Sequence, residues 1–187
     1  MRVRELILKN RVKRPNMAPD YFADSVLDVN FKELKRLGVK HIIIDLDLTL
    51  RKKLEYNLEP RIGEFINKGI KEYKFESVSI ATNNVLNIER YAKKLSANIF
   101  QPYFMGWRFI RKPSRHYYQK IIKFLKAKPA ECVMIGDKLR GDVYGGNVAG
   151  MVTVFVKPKG QDYWYDMVLF TRLRESRVLS KYYKKEK

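Results

Sequence analysis

The sequence of 187 residues has only one cysteine, Cys132, and no long hydrophobic run. A lone cysteine excludes an intramolecular disulfide and a cysteine-rich zinc site, and it agrees with a reducing compartment. The apolar run that begins with Cys132 predicts an unreactive core thiol. No segment approaches the length of a membrane-spanning helix, and the first apolar stretch, residues 6–8, is shorter than the core of a signal peptide. We therefore expect a cytoplasmic protein without a membrane span.

Acidic residues are also scarce. Against 20 Asp and Glu the chain carries 39 Lys and Arg, so its formal net charge is +19 and its pI is near 10. An excess of this size attracts a polyanionic partner, such as nucleic acid, an anionic lipid surface or a phosphorylated small molecule. Charge alone does not choose among these three.

The hydrophobic share of 45% and the charged share of 32% are typical of a globular protein. Short apolar segments alternate with segments of helical periodicity, which indicates a parallel sheet between helices. We predict an α/β fold, a Rossmann-like parallel sheet covered by helices on both faces, in one domain over residues 1–187 with basic flanks at 1–15 and about 172–187. The predicted strands are 41–45, 77–81, 132–135 and 152–156, with a weaker one near 98–101.

Capping residues and apolar stripes predict the helices between these strands. Asn30 and Glu33 form the pattern of a capping box, and Gly38 follows as a stop signal. Pro60 can open the next helix, and Ser114 can cap a later one. The residues predicted to face the core are Ile62, Phe65, Ile66 and Ile70, then Ile88, Tyr91, Ala92 and Leu95, then Tyr118, Ile121, Ile122 and Leu125.

The first main strand ends in two carboxylates. After three isoleucines come Asp45 and Asp47, one residue apart, and then Thr49. The carboxyl ends of parallel strands form the ligand crevice of an open α/β sheet, and unpaired carboxylates are costly to bury. These two therefore either lie at a solvated rim or hold a cation, and carboxylate oxygens suit Mg²⁺. Taken alone, the motif also fits a strand that simply ends in polar loop residues.

Polar residues of matching chemistry follow other predicted strands. The second strand ends in Thr82-Asn83-Asn84, whose hydroxyl and amides could donate to phosphate oxygens. The strand at 132–135 runs into Asp137 and Asp142, and Lys112 precedes a predicted helix start. If the strands are parallel, these side chains converge on one crevice. The sequence therefore predicts a site for a metal and a phosphate group.

These residues resemble the four motifs of the haloacid-dehalogenase-like (HAD) phosphatases. Within that superfamily the chain resembles the YqeG-type branch of subfamily IIIA, which is related to the mitochondrial phosphatidylglycerophosphate phosphatases, and the similarity covers roughly residues 20–175. Leu48 departs from the asparagine usual in this branch, at a position that is not catalytic. The matching segments are Asp45-Leu46-Asp47-x-Thr49-Leu50, Thr82-Asn83-Asn84, Lys112-Pro113 and Gly136-Asp137-x₄-Asp142, and more loosely Asp28-Val29 and Thr171-Arg172-Leu173.

The resemblance implies a role for each of these polar residues. Asp45 would be the nucleophile that forms an aspartyl-phosphate, and Asp47 would be the general acid and base. Mg²⁺ would be held by Asp45, by the main-chain carbonyl of Asp47 and by Asp137, with Asp142 supporting the metal shell from behind. The residues that would bind the substrate phosphate are Thr82, Asn83 and Lys112.

The spacing of the motifs leaves no room for a large cap domain, because 28 residues separate Leu50 from Ser79 and 29 separate Thr82 from Lys112. An open crevice favours a phosphate presented on a macromolecule, a membrane or a neighbouring subunit. The basic flanks contain interleaved apolar and aromatic residues that could lie on an anionic bilayer. Together with the resemblance, this favours conversion of phosphatidylglycerophosphate to phosphatidylglycerol by a cytoplasmic protein at the inner face of a membrane.

Two alternatives stay open at this point. The same basic and aromatic composition would serve a phosphatase that acts on nucleic-acid ends or nucleotides. A non-enzymatic phospho-acceptor or basic binding module also gathers acids, a hydroxyl and a lysine at a sheet edge. Such a module normally takes its acceptor aspartate from a later strand, which disfavours it here.

Overall fold

The computed structural model describes residues 17–52, 55–86 and 88–160, the backbone of residues 2–3, and residues 177 and 180. Apart from these few positions, the predicted basic flanks lie outside the described residues, and so does the loose resemblance at 171–173.

Strands and helices alternate along the described chain, as predicted. The strands are β1 Arg2–Val3, β2 Tyr21–Ala23, β3 His41–Ile44, β4 Ser77–Ala81, β5 Asn98–Phe100, β6 Tyr103–Met105, β7 Arg108–Ile110, β8 Cys132–Gly136 and β9 Val152–Val156. The helices are α1 Phe31–Arg36, α2 Pro60–Tyr73, α3 Glu89–Leu95, α4 Arg115–Leu125 and α5 Gly145–Ala149, with 3₁₀ turns at Val26–Asp28 and Pro129–Glu131 and a π-helical turn at Leu139–Tyr144.

The main sheet has the strand order β1-β2-β9-β8-β3-β4-β5. Among the described strands of this sheet, the six that follow β1 in this order pair in parallel, and β1 pairs antiparallel with β2 at the edge. The predicted parallel α/β sheet is confirmed, and the four main strands lie within one residue of their predicted bounds. Strand β2 was not predicted, because it has three residues and its partner β9 is more than 130 positions away in the chain.

Helices cover both faces of the sheet, because successive strand residues point to opposite sides. Ile42 and Ile44 of β3 belong to a core that includes the buried residues of α1, α2 and α3. Ile43 belongs to the opposite core, with Tyr118 and Ile121 of α4. A strand buried on both faces has no polar side, which explains the uninterrupted isoleucine run.

The helices begin and end near the predicted capping residues, although the Ser114 side chain, just before α4, makes no capping hydrogen bond. Asn30 Oδ1 accepts a hydrogen bond from the Glu33 N–H at 3.0 Å, whereas the Glu33 carboxylate binds Arg36 instead of completing a capping box. Gly38 adopts a φ of 84° just after α1, a conformation that favours glycine. Pro60 is the first residue of α2, where its missing N–H costs nothing.

Between α3 and α4 the chain forms a feature that the sequence did not predict. After β5, strands β6 and β7 pair antiparallel in a hairpin of their own, with Gly106 and Trp107 at its turn. The segment from 88 to 111 is otherwise filled by α3 and β5. The predicted lack of room for a large cap therefore agrees with the described structure, in which a short hairpin takes that place.

Cys132 lies at the start of β8 and is completely buried. Burial raises the pKa of its thiol to about 12, so almost no thiolate exists at neutral pH. The prediction of an unreactive core thiol agrees with this environment. Among the residues that the structure describes, none of the helices is long and apolar enough to cross a bilayer.

Candidate active site

Asp45 and Thr49 lie at the carboxyl end of β3, in the middle of the sheet. The Asp45 N–H donates to the Ile135 carbonyl at 2.9 Å, which continues the pairing of β3 with β8. Both side chains are buried, and the Thr49 hydroxyl donates to Asp137 Oδ1 at 3.2 Å and lies 3.5 Å from Asp45 Oδ2. Thr49 therefore links the carboxylates that follow two neighbouring strands.

Three buried carboxylates, those of Asp45, Asp137 and Asp142, form one cluster, in which an oxygen of each lies within 4.8 Å of the others. The register of the sheet brings the first two together, because Ile44 pairs with Ile135 and the ends of β3 and β8 are level. Asp142 comes from the π-helical turn that follows β8. Clustered carboxylate oxygens are typical ligands of hard divalent cations.

Lys112 brings a positive charge into this cluster. Its side chain is buried, and its Nζ donates to Asp45 Oδ1 at 2.5 Å, to Asp142 Oδ1 at 2.7 Å and to the carbonyl of Ala81 at 2.8 Å. These three acceptors use all three protons of the ammonium group. Lys112 is thereby fixed between the ends of β3 and β4 and the π-helical turn.

The cluster has a surplus of negative charge, since one ammonium group faces three carboxylates. Burial raises the pKa of the Asp45 carboxyl well above its usual range, and Asp142 and Asp137 raise it further, whereas Lys112 opposes the rise. Burial lowers the pKa of Lys112, but the attraction of Asp142 and Asp45 outweighs it and raises that pKa well above its usual range. Lys112 therefore stays charged, and a divalent cation would compensate the remaining carboxylates.

Asp142 is held from two sides. Its Oδ1 accepts from Lys112, and its Oδ2 accepts from the Lys138 N–H at 3.0 Å. Its carboxyl group also packs on Gly136, where an added Cβ would lie only 2.3 Å from Asp142 Cγ. With both oxygens occupied by donors, Asp142 suits a supporting position better than a direct position on a metal.

Asp47 lies at the same strand end, but its carboxylate has different partners. Its Oδ1 accepts from Arg51 Nε at 2.8 Å and from Arg51 Nη2 at 2.6 Å, and its Oδ2 accepts from Asn84 Nδ2 at 3.2 Å. Arg51 is itself anchored, because its Nη1 donates to the Tyr91 hydroxyl at 2.5 Å and to the Glu55 carbonyl at 2.7 Å. The orientation of Asp47 is therefore fixed at both oxygens.

Thr82 and Asn83 follow β4 at the same edge of the sheet. The buried Thr82 hydroxyl accepts from the Asn84 N–H at 3.0 Å, which shapes the turn. Asn83 makes two hydrogen bonds with the backbone of Lys112: its Oδ1 accepts from the N–H at 2.9 Å, and its Nδ2 donates to the carbonyl at 3.1 Å. The Asn83 side chain thus positions the backbone of Lys112.

The structure brings all of the predicted site residues to one edge of the sheet, where the charged ones form two groups beside Thr82 and Asn83. Asp45, Asp137, Asp142 and Lys112 form the buried cluster, whereas Asp47 belongs to a network with Arg51 and Asn84. Sequence reasoning missed Arg51 and its anchor Tyr91. The position of Arg51, four residues after Asp47, is the signal that could have identified it.

Comparisons with known proteins agree with this geometry. Residues 109–161 match the model of the HAD-hydrolase-like family. The chain is 32% identical, over 162 residues, to the probable phosphatase YqeG of Bacillus subtilis, an alignment that covers 87% of this chain and 89% of the relative. This chain belongs to the YqeG-type HAD phosphatases.

More distant similarities support the fold of this phosphatase. A protein of Listeria monocytogenes serotype 4b has a similar structure, with a TM-score of 0.53, 18% identity and coverage of 67% of this chain and 84% of that one. A segment of 48 residues is 40% identical to glyceraldehyde 3-phosphate phosphatase of Pyrococcus furiosus, which covers 26% of this chain and 20% of that protein. The predicted enzyme is confirmed, and the non-enzymatic alternative is set aside.

The packing of Asp142 on Gly136 allows one prediction for this phosphatase. In Gly136→Ala the new Cβ would displace the Asp142 carboxyl, so we expect a loss of about 1–3 kcal/mol in the free energy of unfolding, together with a fall in activity. Thermal unfolding and phosphate release measure the two effects. Gly141→Ala is the matched control, because its Cβ would lie at an ordinary 3.5 Å from Lys138. Equal behaviour of the two variants would contradict the proposed support by Asp142.

Proposed function

We propose that this phosphatase is a Mg²⁺-dependent phosphomonoesterase that works through an aspartyl-phosphate on Asp45 and converts phosphatidylglycerophosphate to phosphatidylglycerol. The observation that carries the proposal is the buried cluster of three carboxylates and Lys112 at the carboxyl edge of the sheet. Burying an ion pair usually stabilises a fold no more than apolar side chains of the same volume would. The burial of Asp45 beside Lys112 therefore favours a functional role over a purely structural one.

The residues of the cluster fit a Mg²⁺ ion. Mg²⁺ prefers carboxylate and carbonyl oxygens, and this cluster sets three carboxyl groups against one ammonium group. In our proposal Asp45, Asp137 and the main-chain carbonyl of Asp47 hold the ion, and Asp142 supports them from behind. When bound, the ion would reduce the repulsion between the carboxylates and an approaching phosphate.

The first chemical step uses Asp45 and Asp47. A carboxylate oxygen of Asp45 attacks phosphorus, and the bond between phosphorus and the ester oxygen breaks. Asp47 gives a proton to the leaving oxygen, which departs as an alcohol. The network around Asp47 supports the positioning that this role needs, because Arg51 and Asn84 fix its carboxyl group at the end of β3 without engaging Asp45.

The second step restores the enzyme. Asp47, now ionised, takes a proton from water as the water oxygen attacks the phosphorus of the aspartyl-phosphate. The bond between phosphorus and Asp45 breaks, and inorganic phosphate leaves. Lys112 and Thr82 stabilise the charge on the phosphoryl oxygens in both steps. Since all three protons of Lys112 have acceptors, a phosphoryl oxygen would share the proton that now points to Asp45.

Arg51 should act as a positioning residue for Asp47. Arg51→Ala removes two of the three hydrogen bonds that hold the Asp47 carboxylate, so we expect kcat to fall about 10- to 100-fold with little change in KM. Arg51→Lys should recover only part of the loss, because an ammonium group cannot reproduce the guanidinium fork. Steady-state kinetics on a soluble phosphomonoester measure kcat and KM for both variants. A large rise in KM at constant kcat would instead assign Arg51 to substrate binding.

The open crevice supports a lipid substrate. In the described residues, the segment after β3 contributes α2 to the core, and the segment after β4 contributes α3, β5 and a hairpin, so nothing larger covers the site. A phosphate that protrudes from a membrane could reach such a site directly. The excess of 39 basic over 20 acidic residues supports attraction to an anionic surface. Under this proposal the protein works in the cytoplasm, peripherally at a membrane.

A comparison of substrates tests the proposal. Phosphate release from phosphatidylglycerophosphate in anionic vesicles is measured beside release from phosphorylated oligonucleotides, nucleotides and soluble sugar phosphates, each with Mg²⁺ and with a chelator. We expect the highest kcat/KM on the lipid and no release with the chelator. Preference for oligonucleotide ends would replace the lipid by the nucleic-acid alternative, and metal-independent release would refute the Mg²⁺ site.

A further inference from the structure

The β6–β7 hairpin exposes an unusual amount of apolar surface. Trp107 at its turn is 89% exposed and Phe104 is 72% exposed, and Met105 and Phe109 are exposed as well. Phe104 and Phe109 pair across the two strands, with ring centroids 5.1 Å apart. Single exposed apolar side chains need no explanation, but a contiguous group of this kind indicates a binding surface.

A second apolar segment adjoins the hairpin. Val85 and Leu86, in the loop after β4, are both 68% exposed. Gln101 ties this loop to the chain that enters the hairpin, because its Nε2 donates to the carbonyls of Asn84 and Leu86 at 3.0 and 2.7 Å. We call the two segments together the rim surface, which consists of Val85, Leu86, Phe104, Met105, Trp107 and Phe109.

The rim surface lies next to the active site. Lys112 follows the end of β7 by two residues, and Asn84, which precedes Val85, donates to Asp47. Whatever covers the rim surface is therefore held close to the reacting groups. This position is suited to a partner that also carries the substrate.

The charges along the hairpin and α4 are of one sign. Residues 98–130, from β5 through the hairpin and α4, contain eight Lys and Arg and no Asp or Glu. Arg108 and Arg111 are exposed on and after β7, and the exposed Lys120 of α4 lies with its Nζ 3.7 Å from the centroid of the Tyr103 ring. An apolar patch surrounded by cations is complementary to an apolar phase with an anionic boundary.

We infer that the rim surface docks on an anionic lipid bilayer, with Trp107 and Phe104 entering the region between headgroups and acyl chains and the surrounding cations binding lipid phosphates. This inference rests on the proposed lipid substrate. Docking on the bilayer would bring that lipid to the active site. Val85, Leu86 and Met105 favour a bilayer over nucleic acid, because aliphatic side chains offer no ring on which bases stack.

Flotation of the full chain with vesicles tests the contribution of the apolar side chains to bilayer binding. The vesicles contain equal parts of phosphatidylglycerol and phosphatidylcholine, or phosphatidylcholine alone. We expect the double variant Phe104→Ser/Trp107→Ser to bind the anionic vesicles about tenfold more weakly than the wild type. Tyr56→Ser is the matched control, because Tyr56 is also 72% exposed but lies against Arg90 of α3 and is not part of the rim surface. Equal binding by wild type and double variant would overturn the inference.

A second pair of variants tests the charges. Arg108→Glu/Lys120→Glu should also weaken binding about tenfold, and binding should then depend less on salt. Lys68→Glu/Lys71→Glu makes the same charge change on α2, on the opposite face, and should have a much smaller effect. If both pairs weaken binding equally, total charge and not the rim surface decides membrane binding, and the inference fails.

Activity measurements separate this inference from the proposed function. All rim variants should hydrolyse soluble p-nitrophenyl phosphate like the wild type, while kcat/KM on vesicle phosphatidylglycerophosphate falls with binding. If the rim variants lose vesicle binding but the wild type does not hydrolyse the lipid, docking stands and the proposed substrate is wrong. If the variants keep vesicle binding but lose oligonucleotide binding, the rim surface is a nucleic-acid site.

Discussion

Replacing Asp45 by asparagine is expected to lower phosphate release by at least about 10⁴-fold, because an amide oxygen is a poor nucleophile toward phosphorus. The substitution preserves the size of the side chain, and Lys112 keeps its contacts with Asp142 and the Ala81 carbonyl. Removing one of three mutually repelling buried carboxylates should not unfold the protein. Phosphate release with Mg²⁺ and thermal unfolding of the purified variant measure these two expectations.

Asp24→Asn is the matched control for this variant. Asp24 is an exposed aspartate that pairs with Lys157, outside the cluster, so the same chemical change there should leave activity at the wild-type level. A folded Asp45→Asn protein that still releases phosphate at a rate near that of the wild type would mean that another group attacks phosphorus. The role given to the cluster would then be wrong, whatever the substrate.

The parts of the fold that the sequence predicts are those governed by local and repetitive constraints. The strands of the sheet interior must be apolar on both faces, and this requirement explains the isoleucine run of β3. A helix with one buried face would not need an uninterrupted apolar run. Parallel strands meet at one edge, so the residues after β3 and β8 can be expected together before any coordinates are known. Asp45 and Asp137 were predicted to lie together in this way, and the structure places their carboxylates in one cluster.

The parts that the sequence does not predict depend on pairings between distant or short segments. Strand β2 has three residues and finds its partner β9 at the other end of the domain. The β6–β7 hairpin has Phe104 and Phe109 on its exposed face, so it lacks the alternation of apolar and polar residues from which strands are recognised.

The sequence also does not predict the contacts of individual polar side chains. Asn83 was predicted to bind phosphate, but its amide holds the backbone of Lys112. Arg51 looked like an ordinary basic residue, because only the folded chain shows that the Tyr91 hydroxyl and the Glu55 carbonyl anchor it beside Asp47. A motif identifies which residue types meet at a site, whereas hydrogen-bond partners decide which of them can face a substrate.

Lys112→Met should have the second large effect, on stability as well as on activity. Removing the ammonium group leaves three buried carboxylates without a cation, so we expect the free energy of unfolding to fall by about 3–5 kcal/mol at neutral pH. Burial already raises the pKa of the Asp45 carboxyl, and without Lys112, which opposes that rise, this pKa lies further above its value in the unfolded chain. Such a shift stabilises the fold at low pH and is lost as the pH rises, so the deficit of the variant should shrink on acidification.

Denaturant unfolding of Lys112→Met between pH 5 and 8, with and without Mg²⁺, measures this effect. Lys120→Met is the control, because it removes an exposed lysine of the same length and should change stability little. Mg²⁺ should stabilise Lys112→Met more than the wild type, since the ion then supplies the compensation that the lysine supplied before. Equal stabilisation of both proteins would mean that Mg²⁺ and Lys112 do not act on the same carboxylates, and the ion would have to bind elsewhere in the molecule.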